Sequence, residues 1–281
     1  MTLRSYLTHI DGVHVGLAPA FFGYNVYFGV LTALLEQLDP LEGPSMTIKS
    51  VAGASAGAMA AVMLSVGLDP RDSAEFASSM TVSSFWDPPG VGGLLKGDLF
   101  QDIMVDRLGG KKLEEGQIPV AVTTFDLKTL EEKVLTTGCM GKAARSSACF
   151  PLLFQPVEWN ENNETAILID GGVKDAWGVS GLSKLLPEEK NKRVVNIVAG
   201  AFPQSKPLGP SEMPKGMHVS EVLSLSIQNV PQCAPWAMEN CPRAATAAME
   251  AIIAVLDTPM YKGNEEGHYV LSLNATKFAP P

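Results

Sequence analysis

The sequence predicts an α/β layer fold with a mostly parallel central sheet. The main observation is that short apolar segments rich in β-branched residues alternate with longer helical patterns. The second is size, because 281 residues, of which 46% are hydrophobic and 18% charged, suit one sizeable core. The third is that the chain has no internal repeat and no low-complexity linker. We therefore expect residues 1–281 to form a single domain.

The N-terminal part of the chain contains two predicted strand–helix units. Val13–Ala18 has the pattern of a short strand, and a loop over Pro19–Tyr24 leads into a helix at Asn25–Leu38. That helix is apolar on most sides, which indicates burial. Thr47–Ala52 is predicted to be the second strand, and Ala56–Val66 the helix after it. So little chain separates these two elements that a tight turn must join them.

The rest of the chain continues the alternation of strands and helices. Residues 84–98 form a Gly/Pro-rich loop that carries exposed-looking apolar side chains. The predicted helices are Leu99–Arg107, Ala143–Ala148 and Ala244–Leu256. The predicted strands are Ile118–Phe125 with Lys133–Thr137 as its hairpin partner, Ala166–Ile169, Arg193–Ala199 and Tyr269–Leu273. An irregular segment is expected at the prolines Pro203, Pro207, Pro210 and Pro214.

Charge and hydropathy exclude several classes of partner. The net charge of −9 argues against a nucleic-acid partner, and no Lys/Arg cluster is present to attract anionic headgroups. Membrane contact would therefore be apolar, local and peripheral. The N-terminus lacks the pattern of a signal peptide, and the uncharged stretch Val51–Leu68 is better explained as a buried helix than as a membrane span. A cytoplasmic or peripheral membrane location is expected.

The cysteine pattern predicts neither a metal site nor a cofactor. None of the four cysteines lies in a C-x-x-C pair, and no histidine lies at zinc-finger spacing from them. Four reduced thiols in a reducing compartment are the simplest interpretation. The alternative, for an exported protein, is a local disulfide between Cys233 and Cys241.

The turn after the second strand has the form of a nucleophile motif. It reads Gly53-Ala54-Ser55-Ala56-Gly57, a G-x-S-x-G sequence between a strand and a helix. A sharp strand-to-helix turn forces the serine into a strained backbone and exposes its Oγ. The helix N-terminus behind it supplies free N–H groups and a partial positive charge, which favour an oxyanion on an attacked carbonyl. Ser55 is therefore the candidate nucleophile.

Asp170 is the stronger candidate for the general base. It ends an apolar strand and precedes Gly171 and Gly172, which allow a sharp turn and leave the carboxylate unobstructed. A partly desolvated carboxylate has a pKa raised towards neutrality and can accept a serine proton. A Ser…Asp…His triad is the alternative, but too few strands precede Ser55 for that fold. The histidines, which we interpret as surface or structural, are His9, His14, His218 and His268.

Together these segments resemble the patatin-like phospholipase family. Gly53–Gly57 is similar to the nucleophile elbow of that family, and Asp170–Gly172 to its catalytic D-G-G/A motif. Gly29–Leu34 resembles the helix after its oxyanion loop, Val120–Leu127 its central strand, and Ala143–Val157 the block before the aspartate. The resemblance extends from about Val13 to Ala199. It implies a Ser55–Asp170 dyad, a three-layer α/β fold and metal-free hydrolysis of fatty acyl esters through an acyl-enzyme.

The oxyanion loop departs from the family pattern of a glycine run followed by Arg/Lys-Gly. The sequence here is Ala18-Pro-Ala-Phe-Phe-Gly-Tyr, without the glycine run or the basic residue, and Pro19 has no N–H to donate. Backbone donors are expected from Ala20, Phe21, Phe22 and Ala56. The departure keeps two alternatives open: a catalytically weakened lipid-binding or scaffold protein, and an acyltransferase that uses the same acyl-enzyme.

Two groups of large apolar residues could contact the substrate. The resemblance implies that this substrate is a lipid or another fatty-acyl ester. The first lies beside the oxyanion loop and either lines an acyl pocket or belongs to the helix core: Phe21, Phe22, Tyr24, Tyr27 and Phe28. The second lies in the Gly/Pro-rich loop and could form an interfacial patch or lid: Phe85, Trp86, Leu94 and Leu95. Trp86 is hypothesised to touch lipid.

Overall fold

The computed structural model describes residues 1–38, 45–161, 164–186, 192–199 and 207–279. The helices are α1 (Leu3–Leu7), α2 (Tyr24–Gln37), α3 (Ala56–Ser65), α4 (Pro70–Ser79), α5 (Asp98–Arg107), α6 (Met140–Ser147), α7 (Leu182–Leu185) and α8 (Cys241–Ile253). The strands are β1 (Val13–Leu17), β2 (Ile48–Ala54), β3 (Gly93–Leu95), β4 (Val120–Asp126), β5 (Glu131–Leu135), β6 (Leu152–Phe154), β7 (Val157–Glu161), β8 (Glu164–Asp170), β9 (Arg193–Ala199), β10 (Glu221–Gln228), β11 (Tyr261–Lys262) and β12 (His268–Asn274).

A mixed sheet with a parallel centre organises the described chain. Strand pairing connects its strands in the succession β11-β12-β10-β9-β1-β2-β4-β8-β7, in which β2 and β8 follow one another along one edge of β4, and β5 pairs with its other edge. The run from β12 to β4 is parallel throughout, whereas β5, β7, β8 and β11 are antiparallel additions at the two sides. The short strands β3 and β6 form a separate parallel pair. The mostly parallel sheet predicted from the sequence is therefore confirmed.

Side chains alternate between the two faces of the sheet, and each face packs on its own layer. One face contributes Val15, Val51 and Val122 to the main core, which also contains the buried sides of α2, α3 and α8. The other face contributes residues such as Ala52 and Ala121 to a smaller cluster with α7 and with residues 207–219. Both faces are covered, as expected for a three-layer α/β fold, but the second layer is thin.

Each predicted helix and strand corresponds to an element of the structure, but several observed elements were not predicted. Arg193–Ala199 matches β9 at both ends, and the predicted hairpin partner of β4 is β5. Sequence reasoning missed α4, which is largely polar, and β10, which follows the proline-rich segment. Pro203 lies outside the described residues; in the described part of that segment, residues 207–214, the one regular element is a short 3-10 turn at Pro210–Glu212.

Candidate active site

Ser55 lies on a strained turn between β2 and α3, as the G-x-S-x-G motif predicts. Its backbone has φ 55° and ψ −125°, which is an unfavourable conformation for a residue with a side chain. The turn closes because Gly53 and Gly57 approach other backbone atoms. A Cβ on Gly53 would lie 2.4 Å from the Gly57 carbonyl carbon, and one on Gly57 would lie 2.1 Å from the Leu17 carbonyl oxygen. Both glycines are therefore required by space.

The register of the sheet brings Asp170 to the same point. On one edge of β4, Ala54 at the end of β2 pairs with Thr123, and Asp170 at the end of β8 pairs with Thr124. Strand β5 occupies the opposite edge of β4 over the same residues. Strands β2 and β8 thus approach each other end to end. Both candidate residues lie at the carboxyl ends of strands, as predicted, although the two strands run in opposite directions.

The Ser55 hydroxyl donates a hydrogen bond to Asp170. The distance from Ser55 Oγ to Asp170 Oδ2 is 2.7 Å, and the other carboxylate oxygen accepts from the Gly172 N–H at 2.8 Å. Burial raises the pKa of Asp170 to about 6, and these two hydrogen bonds oppose that rise by favouring the charged form. A carboxylate with this pKa is ionised at neutral pH and is basic enough to accept a proton.

Ser147, at the end of α6, holds the turn at Ser55 in place. Its Oγ accepts the Ser55 N–H at 2.8 Å and donates to the Thr123 carbonyl at 2.6 Å. The side chain is fully buried, so water is not available to replace it. Sequence reasoning did not identify Ser147. The available signal was its position in Ala143–Val157, the block that resembles the family's segment before the aspartate. A polar side chain that is buried in such a block needs a specific hydrogen-bond partner.

Two apolar compartments meet at Ser55 and Asp170. The wider one has a volume of about 390 Å³ and is lined by residues including Pro19, Pro151 and Val173. The narrow one, of about 40 Å³, is aromatic: its lining includes Phe22, Tyr24, Phe85, Phe100 and Phe154. Phe21 and Phe150 line both compartments, and their rings make an edge-to-face contact with centroids 5.3 Å apart. This pair lies where the two spaces meet.

The aromatic residues singled out in the sequence divide between site and core. Phe21, Phe22 and Tyr24 line the narrow compartment, whereas Tyr27 and Phe28 are buried in α2. In the second group the structure corrects the expectation of exposure. Phe85 and Leu95 are buried, because Phe85 packs on the rings of Phe22 and Phe100 and Leu95 belongs to the main core. Trp86 and Leu94 are exposed, at 55% each.

The predicted oxyanion loop adjoins the site. The Gly23 N–H donates to the Ala20 carbonyl at 2.7 Å, which closes a tight turn, and Phe21 within it has a left-handed φ of 49°. The loop also touches the Asp-Gly-Gly turn, since a Cβ on Gly172 would lie 2.8 Å from Pro19. Ala56 begins α3, so its N–H has no acceptor within the helix. The donors assigned to Ala20, Phe21, Phe22 and Ala56 stay predictions.

No histidine lines either compartment within the described residues. His14 is buried on β1, where its Nδ1 lies 2.8 Å from Ser50 Oγ.

All four cysteines are free thiols, including Cys233 and Cys241. Within the same ranges, no three His, Cys, Asp or Glu side chains are grouped as metal ligands. Among the described helices, none has both the length and the apolar character that crossing a membrane requires.

Solved structures with similar folds include two bacterial proteins. One is VipD from Legionella pneumophila, 15% identical with a TM-score of 0.49; the match covers 93% of this chain and 61% of VipD. Another is the ExoU–SpcU complex from the type III secretion system of Pseudomonas aeruginosa, 15% identical with a TM-score of 0.42; the match covers 88% of this chain and 52% of the other. This chain thus spans less than two thirds of either, and no functional conclusion follows at this similarity.

The profile of one protein family, the patatin-like phospholipases, matches this chain. The match covers residues 24–182, more than half of the chain. The matched range contains both Ser55 and Asp170, and it begins at Tyr24, the last residue of the predicted oxyanion loop. The chain belongs to the patatin-like phospholipase family.

Proposed function

We propose that the protein is a serine-dependent lipid acyl hydrolase, of the phospholipase A or esterase type, that works through a Ser55–Asp170 dyad. The observation that carries the proposal is the 2.7 Å hydrogen bond from Ser55 Oγ to Asp170 Oδ2 at the meeting of two apolar compartments. The serine is on a strained turn at a helix N-terminus, where an attacking hydroxyl and an oxyanion are both favoured.

In the first half of the reaction Ser55 attacks the acyl carbonyl. As the Oγ–C bond forms, the hydroxyl proton passes to Asp170, and the carbonyl oxygen becomes an oxyanion facing the predicted backbone donors. Collapse of this intermediate breaks the ester C–O bond. The proton on Asp170 then transfers to the departing alkoxide, which leaves as a free alcohol or a lysolipid, and the acyl group stays on Ser55.

In the second half the same carboxylate activates water. Asp170 accepts a proton from a water molecule that attacks the acyl-enzyme carbonyl, and the resulting intermediate expels Ser55 Oγ. The proton returns from Asp170 to Ser55, and a fatty acid is released. One carboxylate of raised pKa thus serves both half-reactions, with no metal in either step. Binding of an alcohol in place of this water would give the acyltransferase alternative.

The apolar lining supports a fatty-acyl substrate. Aromatic and aliphatic side chains surround Ser55 in both compartments, so an acyl chain gains burial there and a charged small molecule does not. The narrow compartment has room for only a few heavy atoms unless its rings move. We therefore assign a short acyl chain to it and the remainder of the ester to the wider compartment.

The test is release of p-nitrophenol from butanoate and octanoate esters by the wild type, Ser55→Ala and Asp170→Asn. We expect each variant to lose at least ~10³-fold in kcat/KM, because each removes a group that reacts in every turnover. Asp126→Asn is the matched control, since Asp126 is an equally buried carboxylate at a strand end and lines neither compartment.

Two results would contradict the proposal. An inert wild type, with an intact melting transition, would favour the catalytically weakened lipid-binding protein and would implicate the loop that holds Phe21 in a left-handed conformation. Retention of activity by Asp170→Asn alone would show that a group other than Asp170 serves Ser55 as its base.

A further inference from the structure

Several large apolar side chains are exposed around the opening of the site, although water disfavours such exposure. We call this set the apolar rim: Trp86, Leu94, Phe150, Leu152 and Val173. Phe150 and Val173 also line the wider compartment, so the rim is continuous with the space beside Ser55. Clustered exposed apolar residues commonly mark a binding surface.

Buried hydrogen bonds fix the two segments that carry most of the rim. Arg145 is 4% exposed, and its guanidinium donates to the carbonyl groups of Lys96, Gly97 and Gln155. Gln155 also accepts the Val91 N–H at 2.7 Å. One buried cation therefore ties the segment before α5 to the segment after α6. The apolar rim is therefore exposed on a surface that these hydrogen bonds hold in place.

Leu152 is exposed to solvent and has an unfavourable backbone conformation. It has a left-handed φ of 68°, which a leucine rarely adopts, and it is 85% exposed. Its partner in the β3–β6 pair is Gly93, which adjoins Leu94. Backbone strain of this kind is often found at functional sites, and the exposed Leu152 side chain gains little burial within the chain in return.

We propose that the apolar rim docks on a lipid surface and sets the opening of the site against it. The proposal rests on the proposed function, because the rim borders the compartments assigned to an acyl ester. A lipid surface supplies both the apolar partner for Leu94 and Leu152 and the source of acyl chains entering beside Phe150. A second copy of this chain is disfavoured as the occupant, since each copy carries a net charge of −9.

The experiment measures sedimentation with phosphatidylcholine vesicles in a Ser55→Ala background, so that hydrolysis does not change the lipid. The test variant is Leu94→Asp/Leu152→Asp, and neither residue lines a compartment. The control is Ile10→Asp/Tyr261→Asp. Those residues are 94% and 76% exposed, Ile10 lies before the amino end of β1, and Tyr261 lies on the edge strand β11. We expect the test variant to lose ~10-fold or more in vesicle partitioning and the control less than about twofold.

Soluble-ester hydrolysis separates this inference from the proposed function. With Ser55 restored, the Leu94→Asp/Leu152→Asp variant should hydrolyse p-nitrophenyl butanoate at the wild-type rate but lose activity on vesicle phospholipid. Equal vesicle partitioning of test and control variants would overturn the inference while leaving the dyad intact. A concentration-dependent dimer that the test variant abolishes, without vesicle binding by the parent, would identify a second copy as the occupant and also overturn it.

Trp86 supplies a second readout that needs no substitution in the two leucines. In a Trp236→Phe background it is the one tryptophan more than half exposed, because Trp159 is buried and Trp177 is half-buried. Vesicles should shift its emission to shorter wavelength, and Trp86→Phe should remove the shift. Unchanged emission in the presence of vesicles would overturn the inference.

Discussion

The turn at Ser55 and the lining of the compartments lie side by side but are held by different forces. Around Ser55, directional hydrogen bonds of 2.6 to 2.8 Å connect Ser147, Thr123 and Asp170. The narrow compartment is instead enclosed by aromatic rings whose centroids lie 5.5 to 6.3 Å apart, as in the contacts of Phe85, Phe100 and Phe154. Hydrogen bonds fix atoms at single positions, whereas ring packing tolerates changes of shape. Substitutions at the turn should therefore change kcat, and substitutions in the lining should change selectivity.

The sharpest test of this difference is Ser147→Ala. Without the hydroxyl, the buried Ser55 N–H and the Thr123 carbonyl both lose their partner, and the strained turn loses its support. We expect kcat to fall by about 10- to 100-fold, with KM for a soluble ester changed by less than about twofold. Steady-state kinetics on p-nitrophenyl butanoate provides the measurement.

Ser146→Ala is the matched control for this prediction. Ser146 is the preceding residue on α6 and is equally buried, but its hydroxyl donates to the Lys142 carbonyl within its own helix. Its removal should leave kcat near the wild-type value. Equal losses in both variants would mean that α6 acts only through general stability, and Ser147 would have no positioning role.

A smaller effect is expected from Phe100→Leu in the narrow compartment. The substitution removes ring volume from a buried wall without adding a polar group. The ratio of kcat/KM for octanoate to that for butanoate should rise about three- to tenfold, because a lengthened pocket gains contacts with added methylenes. Phe125→Leu is the control, since Phe125 is buried on β4 and lines neither compartment. An unchanged ratio would place the acyl chain elsewhere.

The contrast also explains what could be predicted from the sequence. Ser55 and Asp170 were identifiable because strand-to-turn motifs depend on local glycines, and the space around Gly53 and Gly57 shows why. Their meeting was not derivable from periodicity, because it depends on the register of β2 and β8 along β4. In advance, the two residues were linked by their positions at the ends of predicted strands and by the family resemblance.

The lining was harder to predict because its residues come from distant segments. Phe85 belongs to a Gly/Pro-rich loop and looked exposed, yet its ring packs against Phe22 and Phe100. Ser147 was hidden for a similar reason, since a buried serine looks like any other serine until its partners are known. Local patterns reveal which backbone turns are possible, whereas side-chain partners across the fold depend on tertiary structure.

The most direct test of the dyad is the rate at which a fluorophosphonate labels Ser55 as a function of pH. Burial raises the pKa of Asp170 to about 6, and only the ionised carboxylate accepts the serine proton. The rate should therefore rise with pH through about 6 and fall about tenfold per unit below it. Mass spectrometry should locate the adduct on Ser55, and Asp170→Asn should label at least ~100-fold more slowly. Labelling that persists in Asp170→Asn with an unchanged pH profile would contradict Asp170 as the base.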